Sequence, residues 1–463
     1  MVKNSLKPLN LGASGRFDRV VILTAVGLLL LAALLIWRGD TVGVPVRNTF
    51  PAGNAGAVSA ETPIRITFGQ PMNTAETPEI RLDPPVRGVT RWQGAATLVF
   101  EPAHPLAADT EYTVHLAAGL ESRQGRLVLR PVSWQFQTRP SQVLYLGWNE
   151  DNYYQLFAVS PDGGPPTPLT FPPDDLLDFT VSPDGTAIAY SSYREDGGSD
   201  LYLIDSDGEN RRQLLDCAQG ACSNAAWEPN GRRLIYERRT ITTEGGGPGP
   251  PRLWWLDLNT NQTVAVFEDT QWLGSFARFS PDGQWIAYLT PNNQEIQAYH
   301  LESGRSVRIP SSSGEPPMWD ADSSSVLMTE IDFAGEQYSI YIYRVAMATT
   351  EVTQMSGEDE VIDGWPTWSP DGEWIAFNRK PSRAPTGKQL WMMSADGSEI
   401  IQLTNEPGRH HGPPAWSPDG RWLVHQQFAQ AEPNADPEIW LLNVVTLEAK
   451  KLASPGIQPA WLP

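Results

Sequence analysis

The chain has little of what most enzymes display. Only two of its 463 residues are cysteine and six are histidine, and Lys plus Arg reach 34 against 54 for Asp plus Glu. Two thiols cannot supply a disulfide framework or a cysteine-based zinc site. No Gly-x-Ser-x-Gly elbow, no His-Glu-x-x-His zinc helix and no phosphate-binding loop occurs. Gly245-Gly-Gly-Pro-Gly249 lacks the Lys-Ser/Thr that a phosphate loop needs. The formal charge of −20 argues against nucleic acid as a partner. No cofactor and no metal site is indicated.

Long apolar runs are also scarce, with one exception. Val20 to Trp37 is eighteen residues without a charge, about 27 Å as a helix against a hydrocarbon core of about 30 Å. Lys3, Lys7, Arg16 and Arg19 against Asp18 give the preceding tail +3, which predicts a cytoplasmic N-terminus. Trp37-Arg38-Gly39-Asp40 is unlike the small-x-small site of a cleaved signal. The expectation is a single-pass membrane protein: tail 1–19, transmembrane helix 20–37, linker 38–47 and everything beyond in the periplasmic or extracellular space. Removing the tail's +3 from −20 leaves −23 on the exported part. Both Cys217 and Cys222 fall there, in one loop where a disulfide is permitted.

Glycine and proline, 39 and 41 residues, are dispersed among short apolar runs, the pattern of many strands joined by tight turns. Residues 48–140 alternate as strands in Ile64-Arg-Ile-Thr-Phe68, Ala96-Thr-Leu-Val-Phe100, Tyr112-Thr-Val-His-Leu116 and Val132-Ser-Trp-Gln-Phe136, which predicts a β-sandwich. Leu106-Ala-Ala-Asp-Thr-Glu-Tyr112 has the form of a tyrosine corner. With Phe68-Gly-Gln-Pro-Met72 and Trp134-Gln-Phe-Gln-Thr138, the segment resembles the bacterial Ig-like domain of surface-layer and other exported proteins. The resemblance implies a spacer or adhesion module. His104 and His115 stand alone in it and carry no site.

Residues 141–463 repeat one phrase, clearest in Pro366-Thr-Trp-Ser-Pro-Asp-Gly-Glu-Trp-Ile-Ala-Phe377. Its other copies are Phe179 to Tyr190, Ala225 to Tyr236, Ala277 to Tyr288, the degenerate Pro317 to Met328, and Pro414 to His425. Starts lie 40 to 52 residues apart, the period of a four-stranded propeller blade. Counting second strands, from Val143-Leu-Tyr-Leu146 to Trp422-Leu-Val-His425, gives seven blades; six or eight are the alternatives. Gln458-Pro-Ala-Trp-Leu-Pro463 matches the start of the phrase and then stops, so the C-terminus should supply the inner strand of the first blade and close the ring. The fold expected is all-β: a seven-bladed β-propeller behind an Ig-like sandwich and one transmembrane helix. These repeats resemble those of the periplasmic TolB family and of the dipeptidyl peptidase propeller, although TolB propellers are understood as six-bladed. The TolB resemblance implies a protein-interaction platform.

The repeat's conspicuous residues have a structural reading. In Ser-Pro-Asp-Gly the proline presets φ, the aspartate bonds its own following backbone and the glycine takes positive φ. Repeated tryptophans fill space between blades. Alternating strand direction puts these turns on one end of the ring, and the second-to-third loops and blade-to-blade connections on the other. Variable loops concentrate on that second end, where binding is expected. Two connections stand out there, Glu358, Asp359, Glu360 and Asp363, then Arg409, His410 and His411. Tandem histidines lack metal-ligand spacing. The expected function is a noncatalytic platform for a protein or glycan. The alternative is a propeller hydrolase or lyase using paired channel carboxylates as general acid and base on sugar or peptide.

Overall fold

In the computed structural model the described residues are 16–39, 43–149, 152–241, 248–291, 295–334, 337–357, 360–432 and 434–462. Most of the basic tail and part of the Gly245–Gly249 run lie outside them. Arg16–Gly39 is α-helical, and its described side chains, 20–33, are all exposed. Among the described residues no helix is long and apolar enough to cross a membrane. The membrane span expected over Val20–Trp37 is therefore not supported.

The sandwich forms from two four-stranded sheets. One orders Val46–Phe50, Ile64–Phe68, Thr97–Pro102 and Gly88–Gln93; the other orders Ala55–Val58, Val132–Thr138, Glu111–Leu116 and Ile80–Asp83. Alternation along the strands sends Ile64, Ile66, Phe68, Leu98, Phe100, Val114 and Phe136 into one core. The tyrosine corner is present, with Ala107 N donating to the Tyr112 hydroxyl at 2.9 Å.

Beyond Ser141 the strands pair in groups of four, except for five in the last, and two pairs of groups are joined by single parallel bridges, Ser199 to Ala221 and Ile340 to Ile362. Gln142–Trp148, Tyr154–Val159 and Thr167–Pro168 take the C-terminal Ile457–Leu462 as their fourth member, with Trp461 opposite Val143. The chain's last strand thus completes the sheet that its first propeller strands begin. The other groups follow in order along the chain, beginning at Leu176–Val181, Gly220–Trp227, Ser275–Phe279, Met318–Trp319, Val361–Trp368 and Arg409–His411. Apolar clusters between neighbouring groups pack one group on the next. Val143, Tyr145, Val424, Ile439, Leu441 and Trp461, for example, join the last group to the first.

Turn chemistry accounts for the repeated phrase. At Asp184, Asp282, Asp371 and Asp419 the carboxylate accepts from the preceding serine hydroxyl and from the backbone N–H two residues on. Gly185, Gly283, Gly372 and Gly420 all have φ between 63° and 71°. The tryptophans do more than fill space. Trp227, Trp319, Trp416 and Trp461 each donate Nε1–H to an inner-strand carbonyl of the preceding group, Thr180, Arg278, Thr367 and Ala415, at 3.1 to 3.3 Å.

The degenerate repeat departs most from expectation. Its second and third strands run Ser325–Ala334 and Gln337–Ala346, ten residues each, about 33 Å of hairpin. It leads out on the loop face, opposite the Ser-Pro-Asp-Gly turns.

Candidate functional site

Inner strands line the central channel, and at four of them one residue bulges into left-handed conformation: Asn224, Phe276, Trp365 and Gln458, with φ of 50° to 52°. A bulge leaves an N–H outside the ladder. In every one of these cases a side chain of the preceding group accepts it: Asp178 at 2.9 Å, Glu237 at 2.7 Å, Glu315 at 2.8 Å and Gln426 at 3.1 Å. Burial raises the pKa of Asp178, Glu237 and Glu315. Channel acids are thus tied to backbone across the blade boundaries.

The residues singled out in sequence occupy two neighbouring groups but do not form one cluster. Glu358 and Asp359 lie outside the described residues. Glu360 is exposed and pairs with Arg383 at 3.2 Å. Asp363 is fully buried, receiving Arg379 Nε at 2.6 Å, Arg379 Nη2 at 2.8 Å and the Ser356 hydroxyl at 2.5 Å. The expectation that it meets a cationic partner at the channel mouth is corrected: its strand starts at Val361, the first four residues of that strand are all buried, and Arg379 of the chain itself takes the carboxylate. Arg409 pairs with Glu438 at 3.2 Å, and His410 stacks on Phe428 with centroids 4.8 Å apart. His411 is buried, its Nδ1 3.1 Å from Nε2 of the equally buried His425. Enclosure holds all three histidines neutral, lowering His410 to about 4, His411 to about 3 and His425 to about 4. Among the described residues no group of three or more His, Cys, Asp or Glu is placed to hold a metal ion.

Sequence reasoning missed Glu315, Lys388 and Asn378. They converge on Gly364, where an added Cβ would lie 2.5 Å from Lys388 Nζ, 2.6 Å from Glu315 Oε1 and 3.0 Å from Asn378 Oδ1. Lys388 donates to Asn378 Oδ1 at 3.0 Å, and burial lowers its pKa. Nothing local in sequence signals this grouping, because its members come from three separate segments.

The loop face also carries exposed aromatic rings: Tyr153, Phe171, Tyr193, Trp365 and, on the long hairpin, Phe333 at 70% and Tyr338 at 47% exposure. Cys217 and Cys222 are joined by a disulfide on this end. The disulfide loop is fastened to the neighbouring group, with Cys217 N donating to Asp200 and Arg194 donating to Gly220 O, both at 2.9 Å. The opposite, turn face meets the sandwich. Arg139 donates to Gly185 O at 2.5 Å and to the Ser206 hydroxyl at 3.1 Å. Near Pro370 and Pro418 the two domains enclose a cleft of roughly 580 Å³.

Comparison with known proteins agrees with this architecture. Residues 252–459 match the family model of the TolB beta propeller domain, and residues 40–138 that of the bacterial Ig-like domain. A dipeptidyl peptidase 4 from Arthroderma otae is 22% identical over 232 residues, 45% of this chain and 28% of the relative. The chain therefore spans little more than a quarter of that protein. Among solved structures, TolB from Acinetobacter baumannii is 18% identical with a TM-score of 0.44, covering 77% of this chain and 80% of its own. A puromycin-hydrolyzing peptidase from Mycobacterium tuberculosis is 14% identical with a TM-score of 0.52, covering 75% and 52%.

Proposed function

From a TolB-like propeller joined to an Ig-like domain, we propose a noncatalytic binding platform whose loop face engages a protein or glycan outside the cytoplasm. We read the seven groups as the blades of one ring that presents this face. The observation that carries the reading is the set of exposed aromatic rings there, above all Phe333 and Tyr338 on the hairpin. Large rings left in water on a rigid scaffold are the residues that anchor interfaces.

The assignment against catalysis draws support from how the channel acids are used. Asp178, Glu237 and Glu315 accept backbone N–H groups across blade boundaries, and Asp363 is neutralised by Arg379. A general acid and base need protons free to move to a substrate. Placement outside the cytoplasm rests on the disulfide and on the uncharged run Val20–Trp37, for which membrane attachment is part of the proposal.

Capture from cell extracts tests the platform. The double substitution Phe333→Ser and Tyr338→Ser should remove the captured partner while leaving the melting temperature within about 2 °C, because exposed side chains contribute little to stability. Equal capture by the wild type and the double variant contradicts the reading.

A further inference from the structure

A second site lies at the other mouth of the channel. There a cavity of roughly 470 Å³ opens between the inner strands of four neighbouring blades. Its walls include Phe179, Trp227, Phe279, Met318 and Trp319, and the one charged residue that lines it is Arg278. The interdomain cleft falls near Pro370 and Pro418, neither of which lines this cavity, while Arg139 of the sandwich bonds the Gly185 turn beside the cavity's Pro183 wall.

Arg278 lines the cavity and is partly buried, and desolvation there lowers its pKa. Even so, among the described residues no carboxylate lies within ion-pair distance of it. Among the described residues the guanidinium's one hydrogen bond runs from Nη1 to the carbonyl of the neighbouring Ala277, at 3.0 Å. Asp178 and Glu237 act on it only through their field. Both are held back by other donors, Asp178 by Ser191 and Asn224, Glu237 by Phe276 and Arg239. A guanidinium has five N–H donors in a planar fork that fits a carboxylate. With no carboxylate of the chain bonded to it among the described residues, the guanidinium has donors open to a ligand carboxylate.

We propose that this cavity binds a carboxylate carried on an apolar or aromatic body, the C-terminal residue of a peptide. Arg278 receives the carboxylate, and the ring side chains enclose the last side chain. The two acids beyond Arg278 repel an anion that travels deeper, so the carboxylate stops at the guanidinium. A chain terminus satisfies that geometry, since nothing needs to continue past it. The site is separate from the loop face and does not depend on it.

The test is a tryptophan-fluorescence titration of the full chain with N-acetyl-L-phenylalanine, its amide and decanoate. Saturable binding of the acid is expected, with the amide and decanoate each weaker by about tenfold or more. Arg278→Met should weaken binding of the acid by about the same factor. Should that variant fail to fold, Met318→Glu, which adds a negative charge to the wall without touching Arg278, should have the same effect. Acid and amide binding alike, decanoate binding more tightly than the acid, or unchanged affinity in a folded variant overturns the proposal.

Discussion

His411 and His425 sit 3.1 Å apart with no room for both to be charged, and burial keeps each neutral. Because the unfolded chain releases them to an ordinary value of about 6.5, it binds protons that the folded chain refuses. Their contribution is whole above about pH 6.5 and is lost as pH falls from there toward the folded values of about 3 and 4. At pH 5 the loss for His425 alone is about 2 kcal/mol. His425→Gln, which cannot titrate, should show a smaller fall in melting temperature between pH 7 and pH 5 than the wild type. An identical fall would mean that the pair does not report on pH. The tandem histidines could be picked out in sequence, but their partner could not. His425 lies fourteen residues away on the adjacent strand, and only the pairing of Arg409–His411 with Trp422–Ala429 brings it across.

Among elements, the inner strands hold the ring together by two kinds of link. Tryptophan Nε1–H groups reach back to the preceding inner strand, and acids or amides reach forward to bulged N–H groups. Trp416→Phe keeps the ring but removes the donor to Thr367 O, and should lower stability by about 1 kcal/mol in urea unfolding. A midpoint equal to the wild type's would reduce these tryptophans to space fillers. The strands and turns of this architecture were legible because the repeat encodes them directly: alternation sets the strands, and Ser-Pro-Asp-Gly sets the turn. The bulges were not, since Asn224, Phe276, Trp365 and Gln458 share no residue type and the acceptors of their N–H groups lie in the neighbouring blade, distant in sequence. Nor was the long hairpin, whose added residues fall outside the repeated phrase.

For the whole molecule, the two domains divide the ends of the propeller between them. Arg139 and the cleft near Pro370 and Pro418 fix the sandwich on the turn face. The hairpin and the variable loops face away from it. In sequence the loop face is the expected binding end because the variable loops gather there, yet the charged residues singled out on it are not all open to a partner. Asp363 and His411 are buried in internal pairs, whereas the exposed rings of Phe333 and Tyr338 had no signal in the repeat. The central claim is that this face meets the partner. Its most direct test is site-specific photo-crosslinking in intact cells, with the reactive group placed at Tyr338 on the hairpin or at the exposed Glu373 on the turn face, away from the cavity at Arg278. The account predicts a discrete crosslinked partner from Tyr338 and none from Glu373. Crosslinking from Glu373 alone would contradict it.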